Sequence, residues 1–509
     1  MNTINSIIIQ AGGRGSRMDR LTRNKPKPLV PVNNLPIMFH LFRKYPDAEY
    51  IIIADYKADV LEKYLNEFAP SELKYNLIRS TGRKGTCAGL REALEILPGK
   101  TEFMLIWCDL ILPPEYELPD MNLHERNIIG ISKDFPCRWK YEHDIFSEER
   151  SESQGVAGHF IFHDKECLND VPTEGEFVKW LHEKNFVFDE QPLYKTREYG
   201  LYSEWEKLPK SRCRPFNRIT FDGGKFIKEG IDAQGLALAE REVKWYRQIQ
   251  GHHFTNIPRI YEYKPLIMER INGRNIYEYT DIEDSKKREI LKQIILCLRQ
   301  VHELGSIESD RASYYDAYLG KTYDRLKKVR NLVPFANDER ITINGISCRN
   351  IFYCQDITER IIMSFLPEKF VFIHGDCTFS NMMLREDLQP VLIDPRGYFG
   401  KTEIFGDPAY DWVKLYYSLV SNYDQFNLKN FELFINKDNV ELNIASNKWE
   451  GLEDYFFELL DGEVTRSQMK ILLSVIWLSL TTYAWEDYDS ICGAFYNGLI
   501  YLEEALNLA

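Results

Sequence analysis

Ten cysteines are scattered through the 509 residues without a single C-x-x-C pair. Neither a zinc site nor a disulfide framework is indicated, and reduced thiols in a cytoplasmic protein are the expectation. Positive charge is also short. Sixty-four Lys and Arg face 77 Asp and Glu, a net −13, which argues against nucleic-acid partners and anionic membranes but allows a local basic pocket for phosphates. No apolar run reaches the ~20 residues of a bilayer span, so no membrane insertion is expected. The longest, ILLSVIWLSLTTYAW at 471–485, carries Ser and Thr and reads as a buried helix. A secretory signal is not expected either, because the chain enters SIIIQAGG at once, too short for an h-region. Repeats, low-complexity tracts and long linkers are missing. What the chain does have is length for two or three domains, each with its own core.

The first part alternates strand-like runs (Ser6–Gln10, Tyr50–Asp55, Phe103–Asp109) with helix-like segments (Pro36–Lys44, Ala58–Phe68), the pattern of an α/β domain with a mainly parallel sheet. Prolines and basic residues interrupt it around Leu208–Pro215, which places a boundary at 213/214. Beyond, RITFDGGKFIKEG reads as a hairpin turning at Asp222-Gly223-Gly224, followed by a helix at Leu236–Gln248 and the strand and turn of LIMERINGRN. From Ser285 helices dominate. Leu291, Ile294, Ile295, Leu298 and Val301 share one helical face, and Gly305 is a sensible stop. Strands followed by helices predict an α+β domain, a small lobe at about 214–272 on a helical lobe at about 273–509.

Two stretches carry chemistry. Phe370–Asp394, FVFIHGDCTFSNMMLREDLQPVLID, sets Asp376 after an apolar run, Asn381 five residues on, and Asp394 at the close of a second apolar run. Phosphoryl transfer from ATP needs this set: a carboxylate that orients and deprotonates the attacking hydroxyl, plus an amide oxygen and a carboxylate for Mg²⁺. Any one of them alone would be an ordinary turn residue; three at this spacing favour the kinase. Near the other end, Gly12, Gly13 and Gly15 follow a strand, where backbone N–H groups can approach phosphates. A glycine-rich turn alone is weak evidence. Arg14, Arg17, Lys25 and Lys27 add the fixed cations that nucleotidyl transfer needs as charge moves onto pyrophosphate, and the prolines of Lys25-Pro26-Lys27-Pro28 keep that segment extended.

This N-terminal pattern resembles the nucleotidyltransferases that activate sugar phosphates and phosphocholine, over roughly residues 5–210. Gly13-Arg14-Gly15-Ser16-Arg17 and Lys27-Pro28-Leu29 match their G-x-G-x-R loop and K-P-L segment. The resemblance implies a Rossmann-like mixed sheet, catalytic roles for Arg17 and Lys27, and nucleotide binding by Ala11, Gly12, Gly13 and Gly15 and by Gly85-Thr86 at the base. It also implies Asp109 as the first Mg²⁺ ligand and Ala157-Gly158 at the sugar site. The family's second metal-binding Asp precedes Gly-Thr-Pro. Here Glu198-Tyr199-Gly200-Leu201-Tyr202 stands instead, with Glu198 able to replace the Asp because Mg²⁺ accepts either carboxylate.

The C-terminal pattern, over about 214–509, is similar to the aminoglycoside phosphotransferase and choline kinase family, whose bilobal fold is that of protein kinases. The likeness implies Asp376 as catalytic base and Asn381 and Asp394 as Mg²⁺ ligands. Asp411 in GDPAYDWVKL would anchor the catalytic loop, and Met268-Glu269-Arg270 would be the adenine hinge. Lys228, with Glu242 as its helix-borne partner, suits the lysine that grips the α- and β-phosphates, with Lys225 and Glu240 as close rivals. The loop reads HGD, not HRD, and neither DFG nor APE follows, which disfavours a protein kinase.

Together the two halves suggest a bifunctional enzyme. The kinase would phosphorylate a small alcohol with ATP, a sugar or polyol being favoured, and the nucleotidyltransferase would couple that phosphate to a second NTP (CTP foremost, otherwise GTP, UTP or dTTP) for surface glycan assembly. Mg²⁺ would serve both. Two alternatives stand beside this: a choline kinase with phosphocholine cytidylyltransferase, whose ammonium would call for an aromatic cage that aromatics such as Trp139, Tyr141, Trp412, Tyr416 and Trp485, most of them expected in the core, neither supply nor exclude, and a kinase with a degenerate nucleotide-binding N-terminal module.

Overall fold

The computed structural model describes residues 4–80, 82–208 and 217–508. The chain divides into two compact units, Met1–Pro209 with Glu486–Tyr488, and Lys210–Trp485 with Asp489–Ala509. The expected 213/214 boundary lies outside the described residues.

The first unit is built on a mixed nine-stranded sheet. Its centre reads Phe103–Trp107, Ser6–Gln10, Glu49–Ala54, Lys74–Arg79, all parallel. All but Lys74–Arg79 are apolar on both faces because helices such as Ile37–Lys44, Ala58–Phe68 and Leu90–Ile96 accompany them. Ile7, Ile8 and Ile9 are fully buried. Gly155–Phe162 then pairs antiparallel with Phe103–Trp107 on one side and with Ile128–Ser132 on the other, where its register shifts between Val156 and Phe160. The strand and helix limits expected from the sequence for this unit agree to within a residue or two.

The second unit opens with a four-stranded antiparallel sheet, Asn217–Asp222, Lys225–Gly230, Leu266–Glu269 and Ile260–Tyr263. Gly223 and Gly224 at its first turn both have positive φ, as a two-residue hairpin requires. The helix Ala233–Gln250 follows, capped by the Asp232 side chain on the Gly235 N–H. The helix Asp284–His302 buries the apolar face read from its periodicity, and Arg466–Leu480 is the buried helix expected near 471–485. Helices dominate from Asp284 onward as expected, but Arg340–Ile343, Ile346–Arg349, Val440–Ile444 and Phe431–Ile435 add a further four-stranded sheet that was not expected. Its hairpin turns on Asn344-Gly345, both with φ > 0, an Asn-Gly signal plainly present in RITINGISC. Among the described residues no helix is long and apolar enough to cross a membrane.

Candidate functional sites in the two units

In the first unit the chemistry-bearing side chains meet where the parallel strands end. Ala11 to Gly15 form the loop after Ser6–Gln10, with Gly13 and Arg14 facing solvent. Gln10 and Trp107 are register partners, so Asp109 emerges beside that loop. Lys27 is buried, and its Nζ donates to Asp109 Oδ2. Burial opposes the Lys27 charge, but the Asp109 carboxylate outweighs it and raises the ammonium pKa. Glu198 pairs with Leu110 across a short antiparallel bridge, and the Tyr199 N–H donates to the Asp109 carbonyl at 2.9 Å, so the two carboxylates become neighbours. Arg17 lies 3.9 Å from Glu198. Burial first, and the adjacent Asp109 second, push the Glu198 carboxyl up to about 7. Gly200 permits the crowding: a Cβ there would fall 2.0 Å from Glu198 Oε1. Sequence reading quoted Gly200 only as part of a departure from a pattern, and its structural reason appears only once both carboxylates are placed.

Gly85 and Thr86 lie beside the same strand end. Gln10 Nε2 donates to the Thr86 carbonyl at 2.5 Å, and the Thr86 hydroxyl accepts the Phe177 N–H at 2.8 Å. The Thr86 carbonyl is thus bonded to Gln10, while its hydroxyl, having accepted one bond, still has an O–H to donate. Ala157 is buried, whereas Gly158, at φ 81°, packs on Trp107 so closely that a Cβ would lie 2.0 Å from the indole. The Trp107 indole N–H is buried without a partner, a donor that sequence reading did not single out.

In the second unit, Lys228 Nζ sits 2.8 Å from Glu242 and 2.6 Å from Asp394. Its rivals lie elsewhere: Lys225 rests over the Tyr261 ring, and Glu240 pairs with Lys264 on the surface. Two neighbouring anions overcome burial and hold Lys228 charged, while burial raises Glu242, whose Oε1 has no partner. Asp376 accepts from Asn381 Nδ2 at 2.8 Å and from Lys414 at 2.9 Å. With its amide nitrogen so used, Asn381 presents its oxygen. Burial would raise Asp376, yet Lys414 above all holds it below the usual carboxylate range. The loop is fixed by the fully buried Asp411, which accepts the His374 and Gly375 N–H groups at 2.9 and 2.7 Å and lies 3.0 Å from His302 Nε2. Lys414 stands one helical turn after Asp411, a spacing visible in DWVK.

A cavity of about 400 Å³ is lined by Lys228, Glu242, Asp376, Asn381 and Asp394. Met268, Glu269 and Arg270 are not on its wall. The N–H groups of Glu269 and Arg270 bond the carbonyls of Arg259 and Gly224, and the Glu269 carboxylate forks onto Arg385 at 2.7 and 3.0 Å. Sheet pairing thus uses the donors that the hinge expectation assigned to adenine. Trp139, Tyr141, Trp412 and Tyr416 are all buried core residues, as expected of most of the aromatics.

Each unit therefore gathers fixed cations and carboxylates in one place. Residues 7–120 match the MobA-like NTP transferase domain, and residues 231–431 match the phosphotransferase enzyme family. The chain is accordingly an enzyme with an N-terminal nucleotidyltransferase domain and a C-terminal kinase-like phosphotransferase domain. It is 26% identical over 184 residues to D-glycero-alpha-D-manno-heptose 1-phosphate guanylyltransferase of Campylobacter jejuni, covering 33% of this chain and 80% of that protein. It is 36% identical over 110 residues to the catalytic subunit beta of mannose-1-phosphate guanylyltransferase of Drosophila melanogaster, covering 20% of this chain but only 30% of that one. Among solved structures, HddC from Yersinia pseudotuberculosis, complexed with GMP-PN, aligns at 20% identity with a TM-score of 0.35, over 40% of this chain and 98% of that one.

Proposed function

We propose that the chain runs two consecutive reactions. The kinase domain moves the γ-phosphoryl group of ATP to a hydroxyl of a sugar or polyol. The nucleotidyltransferase domain lets the resulting phosphate attack the α-phosphorus of a second NTP, releasing pyrophosphate and giving NDP–R. One observation carries this reading: the paired arrangement in which Lys27 meets Asp109 beside Glu198, and Lys228 meets Glu242 and Asp394 in the cavity of Asp376. Uncoupled, either domain would be an ordinary transferase. In one chain, a kinase makes what a nucleotidyltransferase consumes.

In the kinase domain Asp376 takes up the hydroxyl proton, and Lys414 keeps it ionised to do so. Lys228 neutralises the triphosphate, and Asp411 keeps the loop in place. In the other domain Lys27 and Arg17 offset charge growing on the departing pyrophosphate, while the loop Ala11 to Gly15 offers backbone N–H groups. No group of three or more His, Cys, Asp or Glu able to hold a metal occurs among the described residues. Mg²⁺ is usually held by one or two carboxylates plus substrate phosphates. The donors present suit that: Asp109 Oδ1 is buried and unpartnered beside a Glu198 whose charge is suppressed, and Asn381 turns its oxygen outward near Asp394. Bound there, Mg²⁺ would supply charge neutralisation along the phosphates.

The names of the relatives concern hexose and heptose 1-phosphates, which supports a sugar over choline as R. Cytoplasmic surface-glycan precursor synthesis is the setting this product class suits. The test uses the full chain: ADP release with ATP and a panel of sugars, polyols and choline, then pyrophosphate release with sugar 1-phosphates and each of CTP, GTP, UTP and dTTP. Absence of pyrophosphate from every pairing, with ADP release intact, would establish the degenerate-module alternative. Absence of both would refute the proposal.

A further inference from the structure

Resting on the kinase reading, the charge within its cavity narrows the acceptor. Besides the nucleotide-side residues, Arg325, Arg396 and Lys414 line the cavity. Lys414 is balanced by Asp376. Among the described residues neither Arg325 nor Arg396 has a carboxylate within ion-pair distance, Asp376 acting on Arg396 only from farther off, and Lys321 behind them has only the more distant Asp316. Arg325 donates to the Ser479 hydroxyl at 2.8 Å and to the Ser479 carbonyl at 2.5 Å. Arg396 donates to the hydroxyls of Tyr398, at 2.7 Å, and Tyr410, and its Nε is buried with no partner. These contacts are neutral. Like-charged side chains gathered around a half-buried space are held at a cost unless an anion completes them.

The tyrosine faces tell the same story. Arg396 lies 4.1 Å over Tyr398 and 5.3 Å over Tyr410, Lys414 lies 5.5 Å over Tyr417, and Arg325 lies 5.8 Å over Tyr483. The protein's own cations already sit where a quaternary ammonium would stack.

We infer that the acceptor of the kinase domain is an anionic alcohol, a hydroxyl compound that also carries a carboxylate or a phosphate ester, with Arg325 and Arg396 binding the anion as the hydroxyl reaches Asp376. In the reaction the acceptor oxygen forms a bond to the γ-phosphorus and the bond from that phosphorus to the bridging β,γ-oxygen breaks. ADP leaves, and the hydroxyl proton passes to Asp376. The acceptor's own anionic group is unchanged.

The experiment measures kcat/KM for ADP release by the full chain with Mg-ATP on matched acceptors: neutral aldoses, the corresponding uronic acids, the corresponding 6-phosphates, and choline. A charge-assisted contact to each arginine predicts a preference of about 10- to 100-fold for one anionic class over its neutral parent. The uronic-acid arm identifies a carboxylate and the 6-phosphate arm a phosphate ester. Arg325→Gln is expected to cut the anionic-to-neutral ratio about tenfold. A neutral sugar or choline preferred by the wild-type chain overturns the inference while leaving the kinase reading in place, and this needs no variant. An Arg325→Gln protein whose KM for ATP rises while the ratio holds also overturns it, since the cation would then serve the nucleotide. No ADP release in any arm removes both readings.

Discussion

Replacing Asp376 with Asn isolates the chemical step of the kinase domain. The shape is kept: Asn381 Nδ2 still finds an oxygen where it now bonds Asp376 at 2.8 Å. The charge is lost, and Lys414, 2.9 Å away with a side chain only 14% exposed, keeps no carboxylate. A positioned general base is worth about 10²–10⁴ in rate, so kcat should fall about 10³-fold, or about 4 kcal/mol in the barrier. KM for ATP should stay within about threefold, because Lys228, Glu242 and Asp394 are untouched. Leaving Lys414 unpaired should cost about 1–3 kcal/mol of stability, visible as a lower Tm. Lys414 and the other neighbours hold the wild-type Asp376 below its ordinary range. A carboxylate lowered on folding lends stability that is present above its unfolded pKa and lost as pH falls through the folded value, so no acid limb from Asp376 should appear in the kinase rate near neutral pH. The assay couples ADP release to NADH oxidation, with pyrophosphate release measured in parallel. A folded variant with kcat within tenfold of wild type would refute the base assignment. Loss of pyrophosphate release as well would refute two independent sites.

The reverse experiment is Lys27→Met, which removes the cation held on Asp109; pyrophosphate release should drop about 10²–10³-fold with ADP release unchanged. Lys228→Met and Glu242→Gln should both depress kinase kcat/KM, whereas Lys225→Met, on the Tyr261 side of the strand, should leave it within twofold. Burial and Asp109 raise Glu198 to about 7, so the stability it lends fades as pH rises through 7 and a bound cation gains affinity there. Millimolar Mg²⁺ should therefore raise Tm more at pH 8 than at pH 6, and equal shifts would remove Glu198 from the metal site. Gly158→Ala should cost roughly 3 kcal/mol, since the new Cβ would fall 2.0 Å from the Trp107 ring at a φ of 81°. An unchanged midpoint in urea would count against that packing.

Local pattern was sufficient for the elements of the first unit and for the family-like motifs of both. Apolar runs of strand length and a 3.6-residue period are properties of neighbouring residues, and so are the spacings of Asp376, Asn381 and Asp394. The later four-stranded sheet was missed although Asn344-Gly345 announced its hairpin, because one of its pairings joins Ile343 to Val440, far along the chain. The choice between Lys225 and Lys228 depended on which one meets a helix that starts after the strand, and the adenine hinge was misplaced because strand pairing consumed its donors. The sequence by itself determined that a nucleotidyltransferase domain and a phosphotransferase domain share this chain. Tertiary structure alone decided that Glu198 joins Asp109, that Lys414 holds Asp376 ionised, and that Arg325 and Arg396 line one cavity without an ion-pair partner. Electrostatic environment is a sum over neighbours in space, and residues separated by tens of positions in sequence contribute to it as strongly as adjacent ones.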